Sequence, residues 1–336
     1  MDGFWRAVFV LLVAGFPGWI LFSLAAGVIV YVSTLTTNHA SPEPKNTSRG
    51  EGDSPVRAHI RDPLIMEPLN AAKERWNANR DRHLFTVLSL RSADGLQLTA
   101  FYREASAPAA GKTVLIVHGI SDSAAGMAYL AEEYHARGWS VLSIDQRSHG
   151  ESGGTKRTMG VRESSDISLW VGLLVSRFRA PEIWLHGVSM GAAAVLLCGS
   201  RTKNVPPQVR GIIADSSYPS YEETFYRLLQ LAVRSRFLAW SIVRGASFAS
   251  LVLSGVPFSS MNPRKAIGTL SVPLLLFHGQ KDVLIPIGQV GDMLDDAVQR
   301  VGGTVVVIPG APHIGAYFYA PSLYMEKIEE FCRRNT

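Results

Sequence analysis

The chain has 336 residues, and 47% of them are hydrophobic, so it is long and apolar enough to bury a sizeable core. Its formal net charge of +5 is mildly basic, and no stretch is dense in lysine or arginine, so nucleic-acid binding is not expected. The two cysteines, Cys198 and Cys332, lie far apart and lack the spacing of a disulfide framework or a metal site.

The N-terminal segment is strongly apolar. Residues 7–32 carry no charged side chain, and about 20 such residues span the hydrocarbon core of a bilayer. A cleaved signal peptide has a shorter apolar region, while Pro17 and Gly18 in the middle of the run would also allow a kinked or re-entrant segment. We expect an uncleaved, single-pass membrane anchor in residues 1–35, and the lysine and arginine bias leaves the side of the membrane open.

A polar connection follows the apolar run. Residues 38–56 are rich in proline, serine and charged side chains, a composition typical of a flexible tether. Residues 60–83 are charged and partly helical in their pattern. We therefore interpret residues 36–83 as a linker and a lead-in to the folded domain.

From residue 84 onward, short apolar strands alternate with helices. Residues 84–90 and 96–102 predict a hairpin around a turn at 93–95. Later strands are predicted at 113–117, 139–144, 182–186, 211–214, 272–277 and 304–308. Continuous apolar strands that alternate with helices indicate an α/β domain at 84–336, with a mostly parallel sheet flanked by helices on both faces.

Residues 216–263 interrupt this alternation and predict an inserted helical cap. Apolar residues recur at helical spacing between Phe225 and Val243, and no acidic residue follows Glu223 within the insertion. Several arginines stand among them, so the cap has a basic amphipathic character. It is interpreted either as a lid with solvated arginines, packed on the domain, or as a surface that contacts acidic lipid headgroups.

Residues 187–191 read Gly-Val-Ser-Met-Gly, between a predicted strand and a predicted helix. A G-x-S-x-G sequence in this position is the nucleophile elbow pattern, a tight turn that exposes its serine at a helix N-terminus. Backbone N–H groups and the helix dipole favour negative charge there. Ser189 is therefore the candidate nucleophile, and a helix N-cap serine without chemistry is the alternative.

Together with further segments in the same order, the elbow makes residues 84–336 resemble the α/β-hydrolase family. The family has a histidine–glycine turn after an early strand, matched by residues 118–120. It also has a D-x-R-x-H-G-x-S loop after the next strand, matched by residues 145–152. An acid after a late strand and a histidine near the end complete the set. The likeness is to membrane-anchored serine hydrolases of broad or unassigned specificity, and it implies the α/β-hydrolase fold.

A serine nucleophile needs a base that removes its proton and an acid that orients the base. The resemblance implies the order nucleophile, acid, histidine, which leads to His313 in the loop after the last predicted strand. Asp282 follows the strand that ends at His278 and is the candidate acid. Asp215, after the preceding strand, stays the alternative acid, because some hydrolases place the acid there.

The resemblance also implies an oxyanion hole with two backbone N–H donors. One would be the N–H of Met190, directly after the nucleophile, and the other that of Ile120, in the loop after the early strand. Neither a G-x-G-x-x-G nor a His-Glu-x-x-His pattern is present in the sequence, and we expect no metal and no organic cofactor.

These features predict a serine hydrolase that cleaves an ester, thioester or amide through an acyl-serine intermediate, and carboxylesterase or lipase-like activity is favoured. The apolar cap and the anchor would bring a small-molecule or lipid-like acyl substrate from the membrane to the site. Three alternatives stay open: a peptidase of the same fold, an acyltransferase, and a non-catalytic membrane interaction protein that keeps the scaffold.

Overall fold

An eight-stranded sheet forms the centre of the structure, a computed structural model that describes residues 19, 21–36, 62–106, 111–201 and 205–336. The strands, in chain order, are β1 Thr86–Arg91, β2 Gln97–Arg103, β3 Lys112–Val117, β4 Ser140–Asp145, β5 Glu182–Val188, β6 Val209–Asp215, β7 Leu274–Gly279 and β8 Thr304–Ile308. The helices are α1 Leu21–Leu35, α2 Pro63–Asp81, α3 Ala128–Ala136, α4 Val161–Ser176, α5 Met190–Arg201, α6 Tyr221–Gln230, α7 Arg236–Ser254, α8 Pro263–Ile267, α9 Ile287–Val301, α10 Ala316–Tyr319 and α11 Pro321–Arg334.

The strand order of the sheet is β1-β2-β4-β3-β5-β6-β7-β8. β1 pairs with β2 as the predicted hairpin, β2 pairs antiparallel with β4, and the pairings from β4 across to β8 are parallel. Every residue of β7 is buried, as are all residues of β3 and β5 after the first. Helices cover both faces of the sheet, and the predicted mostly parallel α/β architecture is confirmed.

Alternate residues of each central strand face two separate hydrophobic cores. Along β3, Leu115 and Val117 belong to a core that includes α4 and α5, whereas Val114 and Ile116 belong to one that includes α3 and α11. Because both cores hold the sheet between helical layers, the carboxyl ends of its parallel strands lie along one fixed edge. That edge carries the loops that contain Ser189, Asp282 and His313.

The predicted membrane anchor at residues 1–35 falls largely on residues 1–18 and 20, which lie outside the described residues. Its described part is α1, a helix shorter than a membrane span. The positions buried on one face of α1, four residues apart, are Ser23, Gly27, Tyr31 and Leu35. Tyr31 and Leu35 have no exposed surface and belong to the main core. A transmembrane helix is therefore not supported at residues 21–35, because this face packs on folded protein.

The insertion between β6 and β7 is helical and holds α6 and α7, with α8 beginning at its end. Helix α7 packs against α1, where a Cβ on Gly27 would lie 2.2 Å from the carbonyl carbon of Gly245. Among the helices in the described part of the chain, α7 is the one that is long and apolar enough to cross a membrane. Yet 56% of its apolar stretch is buried inside the protein, as in the core helix of a globular domain.

Candidate active site

A tight turn between β5 and α5 carries Ser189. Its backbone φ is +55°, in the left-handed region that residues with a Cβ rarely adopt. A Cβ on Gly187 would lie 2.2 Å from the carbonyl oxygen of Gly191, and a Cβ on Gly191 would lie 2.1 Å from that of Val117. Glycine is therefore required at both positions. Met190 is the first residue of α5, so its N–H has no acceptor within the helix.

Three side chains from separate loops form a hydrogen-bonded chain at this turn. Ser189 Oγ lies 2.9 Å from His313 Nε2, and His313 Nδ1 lies 2.7 Å from Asp282 Oδ2. An ionised carboxylate only accepts hydrogen bonds, so Nδ1 carries the ring proton and Nε2 can accept the proton of the serine. The structure thus brings together the three residues that the sequence singles out, in an arrangement that can activate a serine.

Asp282 is buried beneath His313 and favours its ionised form. Burial acts to raise the pKa of the Asp282 carboxyl, but the charge of His313, its hydrogen bond and the N–H of Ile285 outweigh burial, and the pKa lies below its ordinary value. Ile285 N donates to Asp282 Oδ1 at 2.7 Å. His278 donates from Nε2 to the Ile285 carbonyl oxygen at 2.8 Å. This environment supplies an anion that can stabilise an imidazolium.

Asp215, the alternative acid, bonds partners other than His313. Its Oδ1 accepts a hydrogen bond from Ser216 Oγ at 2.9 Å, and its Oδ2 accepts one from the Tyr324 hydroxyl at 3.0 Å. Burial raises the pKa of Asp215 to about 6. Ser216 Oγ also accepts the N–H of Ile314 at 3.1 Å, so Asp215 braces the residue that follows His313.

The loop after β3 lies beside the serine, because a Cβ on Gly119 would be 3.4 Å from Ser189 Cβ. His118 Nε2 accepts the Gln146 N–H at 3.0 Å, so Nδ1 is protonated and donates to the Gly119 carbonyl oxygen at 2.6 Å. The carbonyl and the N–H of a trans peptide point in opposite directions. The bond from His118 therefore turns the Ile120 N–H away from His118 and fixes the peptide that carries this candidate oxyanion donor.

The loop at 145–152 braces its neighbours and does not reach the serine. Asp145 Oδ1 accepts the Ala124 N–H at 2.7 Å, which ties the loop after β4 to the loop after β3. His149 Nε2 lies 2.5 Å from the Ile120 carbonyl oxygen, and its Nδ1 lies 2.9 Å from that of Arg147. With His118, these contacts hold the loop after β3 from both sides, so the motif supports the geometry of the site.

A cavity of about 310 Å³ opens in front of the serine. Most of its lining is apolar, and the lining residues are Ile65, Met66, Leu69, Lys73, Gly119, Ile120, Ser121, Asp122, Met127, Val188, Ser189, Leu284, His313 and Ile314. Among the described residues that line it, none belongs to the insertion at 216–263, which the sequence favours as the cap. The apolar wall is instead α2, in the segment interpreted as a lead-in.

Helix α2 is fixed on the domain at its start and in its second half. Asp62 caps it by accepting the Leu64 N–H at 3.0 Å, and the Tyr319 hydroxyl donates to the other carboxylate oxygen at 2.6 Å. Arg75 donates to both carboxylate oxygens of Glu132 on α3. The wall that α2 forms is therefore a fixed part of the site.

Sequence reasoning missed this wall, although a signal was present. Asp62 followed by Pro63 is an N-cap followed by a proline in the first turn, a pattern that starts helices. Ile65 and Leu69 are four residues apart and share a face of the helix. The pattern identifies an amphipathic helix, but nothing local indicates that its apolar face covers the serine.

Comparisons with known proteins agree with this architecture. A family model described as serine aminopeptidase, S33, matches residues 108–252. The chain is 25% identical over 221 residues to the uncharacterized protein YqkD of Bacillus subtilis, which covers 65% of this chain and 70% of that protein. The esterase Pf2001 of Pyrococcus furiosus has a TM-score of 0.61 at 23% identity, over 76% of this chain and 93% of that one. A membrane phospholipase A, described as a bacterial virulence factor, has a TM-score of 0.51 at 16% identity, over 84% and 96%.

Sheet order, serine turn and family match together identify the fold. The chain has the α/β-hydrolase fold, and its residues 108–252 match the serine aminopeptidase family model. At such low sequence identities, similarity to the solved structures establishes the fold alone, and one fold supports many reactions. The side chains at the cavity therefore decide which of these reactions the chain can carry out.

Proposed function

We propose that this α/β-hydrolase is a carboxylesterase or lipase-like enzyme that cleaves an ester through an acyl-serine intermediate. The observation that carries the proposal is the hydrogen-bonded chain from Ser189 through His313 to Asp282, which opens on an apolar cavity. Ser189 is the nucleophile, His313 is the general base and acid, and Asp282 orients the ring and stabilises its charged form.

The reaction has two steps. His313 Nε2 takes the proton of Ser189 Oγ as this oxygen attacks the ester carbonyl, and the N–H groups of Ile120 and Met190 stabilise the oxyanion. The imidazolium, held by Asp282, gives its proton to the leaving alcohol, which leaves an acyl group on the serine. Water then loses a proton to His313 and attacks the acyl carbonyl, and the imidazolium returns that proton to Ser189 Oγ as the carboxylic acid leaves and the serine is regenerated.

The cavity favours an uncharged acyl group. Ile65, Met66 and Leu69 of α2 and Met127 present apolar surface to it. Its volume of about 310 Å³ is near the lower end of the range for small-molecule sites. Each methylene that leaves water contributes about 0.8 kcal/mol to binding. We therefore expect esters of medium-length acyl chains to be better substrates than acetates.

A peptidase is the second candidate, because the matching family model describes serine aminopeptidases. An aminopeptidase must bind a positively charged amino terminus, and Asp122 is the one acidic residue among the described residues that line the cavity. Lys73 Nζ already lies 3.3 Å from Asp122 Oδ1, so this charge has a partner. Because Lys73 already neutralises Asp122, the cavity is better suited to an ester than to the charged amino terminus of a peptide. An acyltransferase would use the same groups, with an alcohol in place of water.

We also propose a layout for the whole chain. The catalytic domain comprises residues 84–336 with the helical insertion at 216–263, and residues 1–35 attach it to a membrane. The uncharged run at 7–32 supports this attachment. Residues 36–83 connect the two, but residues 63–81 belong functionally with the domain, since they line the cavity.

Labelling with a fluorophosphonate probe tests for an activated serine. Ser189→Ala should lose all labelling and keep its fold, because alanine retains the Cβ that the turn accommodates. Ser322→Ala, which changes an exposed serine of α11, should label like the wild type. Labelling that persists in Ser189→Ala would move the nucleophile to another residue.

Two substrate series separate the esterase from the peptidase. We expect hydrolysis of p-nitrophenyl esters from acetate to decanoate, lost in Ser189→Ala, and little hydrolysis of aminoacyl p-nitroanilides. Faster cleavage of the anilides would favour the peptidase. Probe labelling of Ser189 without hydrolysis of either series would favour an acyltransferase.

A further inference from the structure

Large apolar side chains are exposed along one face of α1. They are Leu21, Phe22, Val28, Ile29 and Val32. Leu21 and Ile29 each keep 68% of their surface exposed. The opposite face of this helix is buried on the domain, so α1 is apolar on both sides. A helix at a water-exposed surface carries polar side chains on its outer face, and α1 departs from that rule.

Helix α7 repeats this arrangement. Its outward positions, at helical spacing, are Phe237, Trp240, Phe248, Leu251 and Val252, with exposed fractions between 46% and 65%. Ala239, Ile242, Val243 and Ala246 face the protein and are buried. More than half of the exposed large hydrophobic side chains among the described residues lie on α1 and α7.

The two outward faces form one surface. Gly27 meets Gly245 at a backbone-to-backbone contact, and the Trp19 ring stacks on the Phe237 ring with centroids 5.1 Å apart. Trp19 Nε1 also donates to Ser241 Oγ at 3.2 Å. The helices therefore run side by side in the same direction. We call the outward apolar side chains of both helices the α1–α7 face.

Positive charge borders this face. The exposed arginines at or just before α7 are Arg234, Arg236 and Arg244. Arg244 lies over the Trp240 ring, 5.7 Å from its centroid, and donates to Glu222 at 3.0 Å. No acidic residue occurs at 224–263. Tryptophan and arginine beside an apolar surface are typical of the interface between lipid headgroups and acyl chains, and each cation near an anionic leaflet contributes about 1 kcal/mol.

The sequence just before α1 is also apolar. Residues 7–18 carry no charge and immediately precede Trp19, which lies at the end of the α1–α7 face where α7 also begins. An uncharged run of this length that joins an exposed apolar face has one environment in which both are favourable. That environment is the hydrocarbon of a bilayer.

We propose that the α1–α7 face is the docking surface of this protein for an anionic lipid bilayer, with both helices lying in the interface of one leaflet. The domain is then held against the membrane by two helices at once. A tether at the N-terminus alone would leave α7 in water. A second copy of the chain on this face is the competing occupant, and the test below separates the two.

Docking has a consequence for access to the site. Helix α6 lies beside α7, and Arg227 on α6 donates to the carbonyl oxygens of Val283 and Leu284. Leu284 lines the cavity. The face is thus one helix away from the cavity, and docking would hold the cavity close to lipid esters. This consequence rests on the proposed function, whereas the docking does not.

A fluorescent label on α7 of the full-length chain tests the docking. Phe248→Cys and Val298→Cys would each be labelled with NBD, since the native Cys198 and Cys332 are buried and do not compete. The two positions are matched in exposure, at 54% and 51%, and Val298 lies on α9, away from the face. Each protein is reconstituted into phosphatidylcholine vesicles with and without phosphatidylglycerol.

We expect lipid-attached doxyl groups to quench NBD at position 248 about twofold or more, and to leave NBD at 298 unchanged. Iodide dissolved in the buffer should quench NBD at position 298 and leave NBD at position 248 unchanged. Phosphatidylglycerol should strengthen the doxyl effect at 248. Iodide quenching at both positions would mean that the domain hangs free on a tether, which would overturn the proposal. Shielding of 248 from both quenchers would assign the face to a second copy and overturn it as well. Equal doxyl quenching without phosphatidylglycerol would overturn the preference for anionic lipid.

Discussion

Ser189 is held in a left-handed backbone conformation, which costs a residue with a Cβ about 1–2 kcal/mol. The N–H of Ser189 donates to the Asp215 carbonyl oxygen at 2.8 Å, and the two flanking glycines remove the steric clashes that would otherwise open the turn. The hydrogen bond to the neighbouring strand therefore helps to hold Ser189 in its strained backbone conformation. The result is a hydroxyl aimed at His313 from a fixed position, as a nucleophile requires.

The choice between two candidate acids gives the first prediction. Asp282→Asn should lower kcat about 10³–10⁴-fold, because an amide cannot accept the Nδ1 proton and stabilise the imidazolium in the same way. Asp215→Asn should keep kcat within a few-fold, since Asp215 bonds Tyr324 and Ser216. Steady-state kinetics on a p-nitrophenyl ester measure both. The reverse pattern would make Asp215 the acid.

The pH dependence of stability gives a second prediction for Asp215. Burial raises the pKa of Asp215 to about 6 in the folded protein, against about 3.9 for an unfolded chain. Between these two pH values the folded state binds more protons than the unfolded state. The stabilisation that protonated Asp215 contributes is therefore full below pH 4 and is lost as the pH rises through 6. Relative to Asp215→Asn, the wild type should lose on the order of 2–3 kcal/mol of unfolding free energy over this window.

Urea denaturation of both proteins at pH 4.5, 6 and 7.5 measures this difference. Asp145 and Asp166, whose pKa values burial also raises to about 6, are present in both proteins and cancel in the comparison. A difference in unfolding free energy that stays flat with pH would contradict the assignment of a buried, titrating Asp215.

At the scale of elements, α2 lines the cavity in front of Ser189 although it precedes the sheet in the chain. Lys73 on α2 pairs with Asp122, while Trp76 packs against Phe85 and Phe101 with ring centroids 4.3 and 5.4 Å away. Together with the hydrogen bond from Tyr319 to Asp62 at the start of the helix, these contacts hold its apolar face over Ser189. The acyl preference of the site is consequently expected to depend on side chains of α2.

A pair of tryptophan substitutions on α2 tests this dependence. Leu69→Trp should fill part of the cavity and reduce kcat/KM for octanoate esters about tenfold or more, the value of roughly two lost methylene contacts, while butyrate esters change little. Leu64→Trp is the control, because Leu64 is on the same helix but 60% exposed and outside the lining. An equal loss for both chain lengths in Leu69→Trp would argue against an acyl-binding wall.

At the scale of the whole molecule, the site exists because four parallel strands end at one edge. The loops after β3, β5, β7 and β8 carry Ile120, Ser189, Asp282 and His313, respectively. The sheet order places β3 and β5 as neighbours, so the loop at Gly119 contacts the serine turn. Helices α1, α2 and α7 then add surfaces around this edge.

Truncation of the N-terminus tests whether α1 belongs to the folded domain. Removal of residues 1–35 should lower the unfolding free energy by on the order of 3 kcal/mol or more relative to removal of residues 1–18. The reason is that Tyr31 and Leu35 are fully buried in the main core. Thermal and urea unfolding in the same mild detergent measure both proteins. Equal stability would mean that α1 is a tether and not part of the fold.

Much of the architecture is readable in the sequence, because its causes are local. Continuous apolar strands between helices predict a parallel sheet, and the spacing of two glycines around Ser189 predicts the turn. The chain order of the serine, Asp282 and His313 then follows from the resemblance. In the structure their side chains form a hydrogen-bonded chain, and their catalytic roles are still a prediction.

Three further features depend on contacts between residues far apart in the chain, which no local pattern encodes. Asp215 ends one buried strand and Asp282 follows the next, and the hydrogen bond from His313 to Asp282 distinguishes them. The apolar face of α2 predicts burial but not its place above the serine. An uncharged run such as 7–32 predicts an apolar environment, and a protein core and a bilayer both provide one. The contact of Gly27 with Gly245 buries one face of α1 and leaves the other exposed, and that exposed face is the one proposed to meet the bilayer.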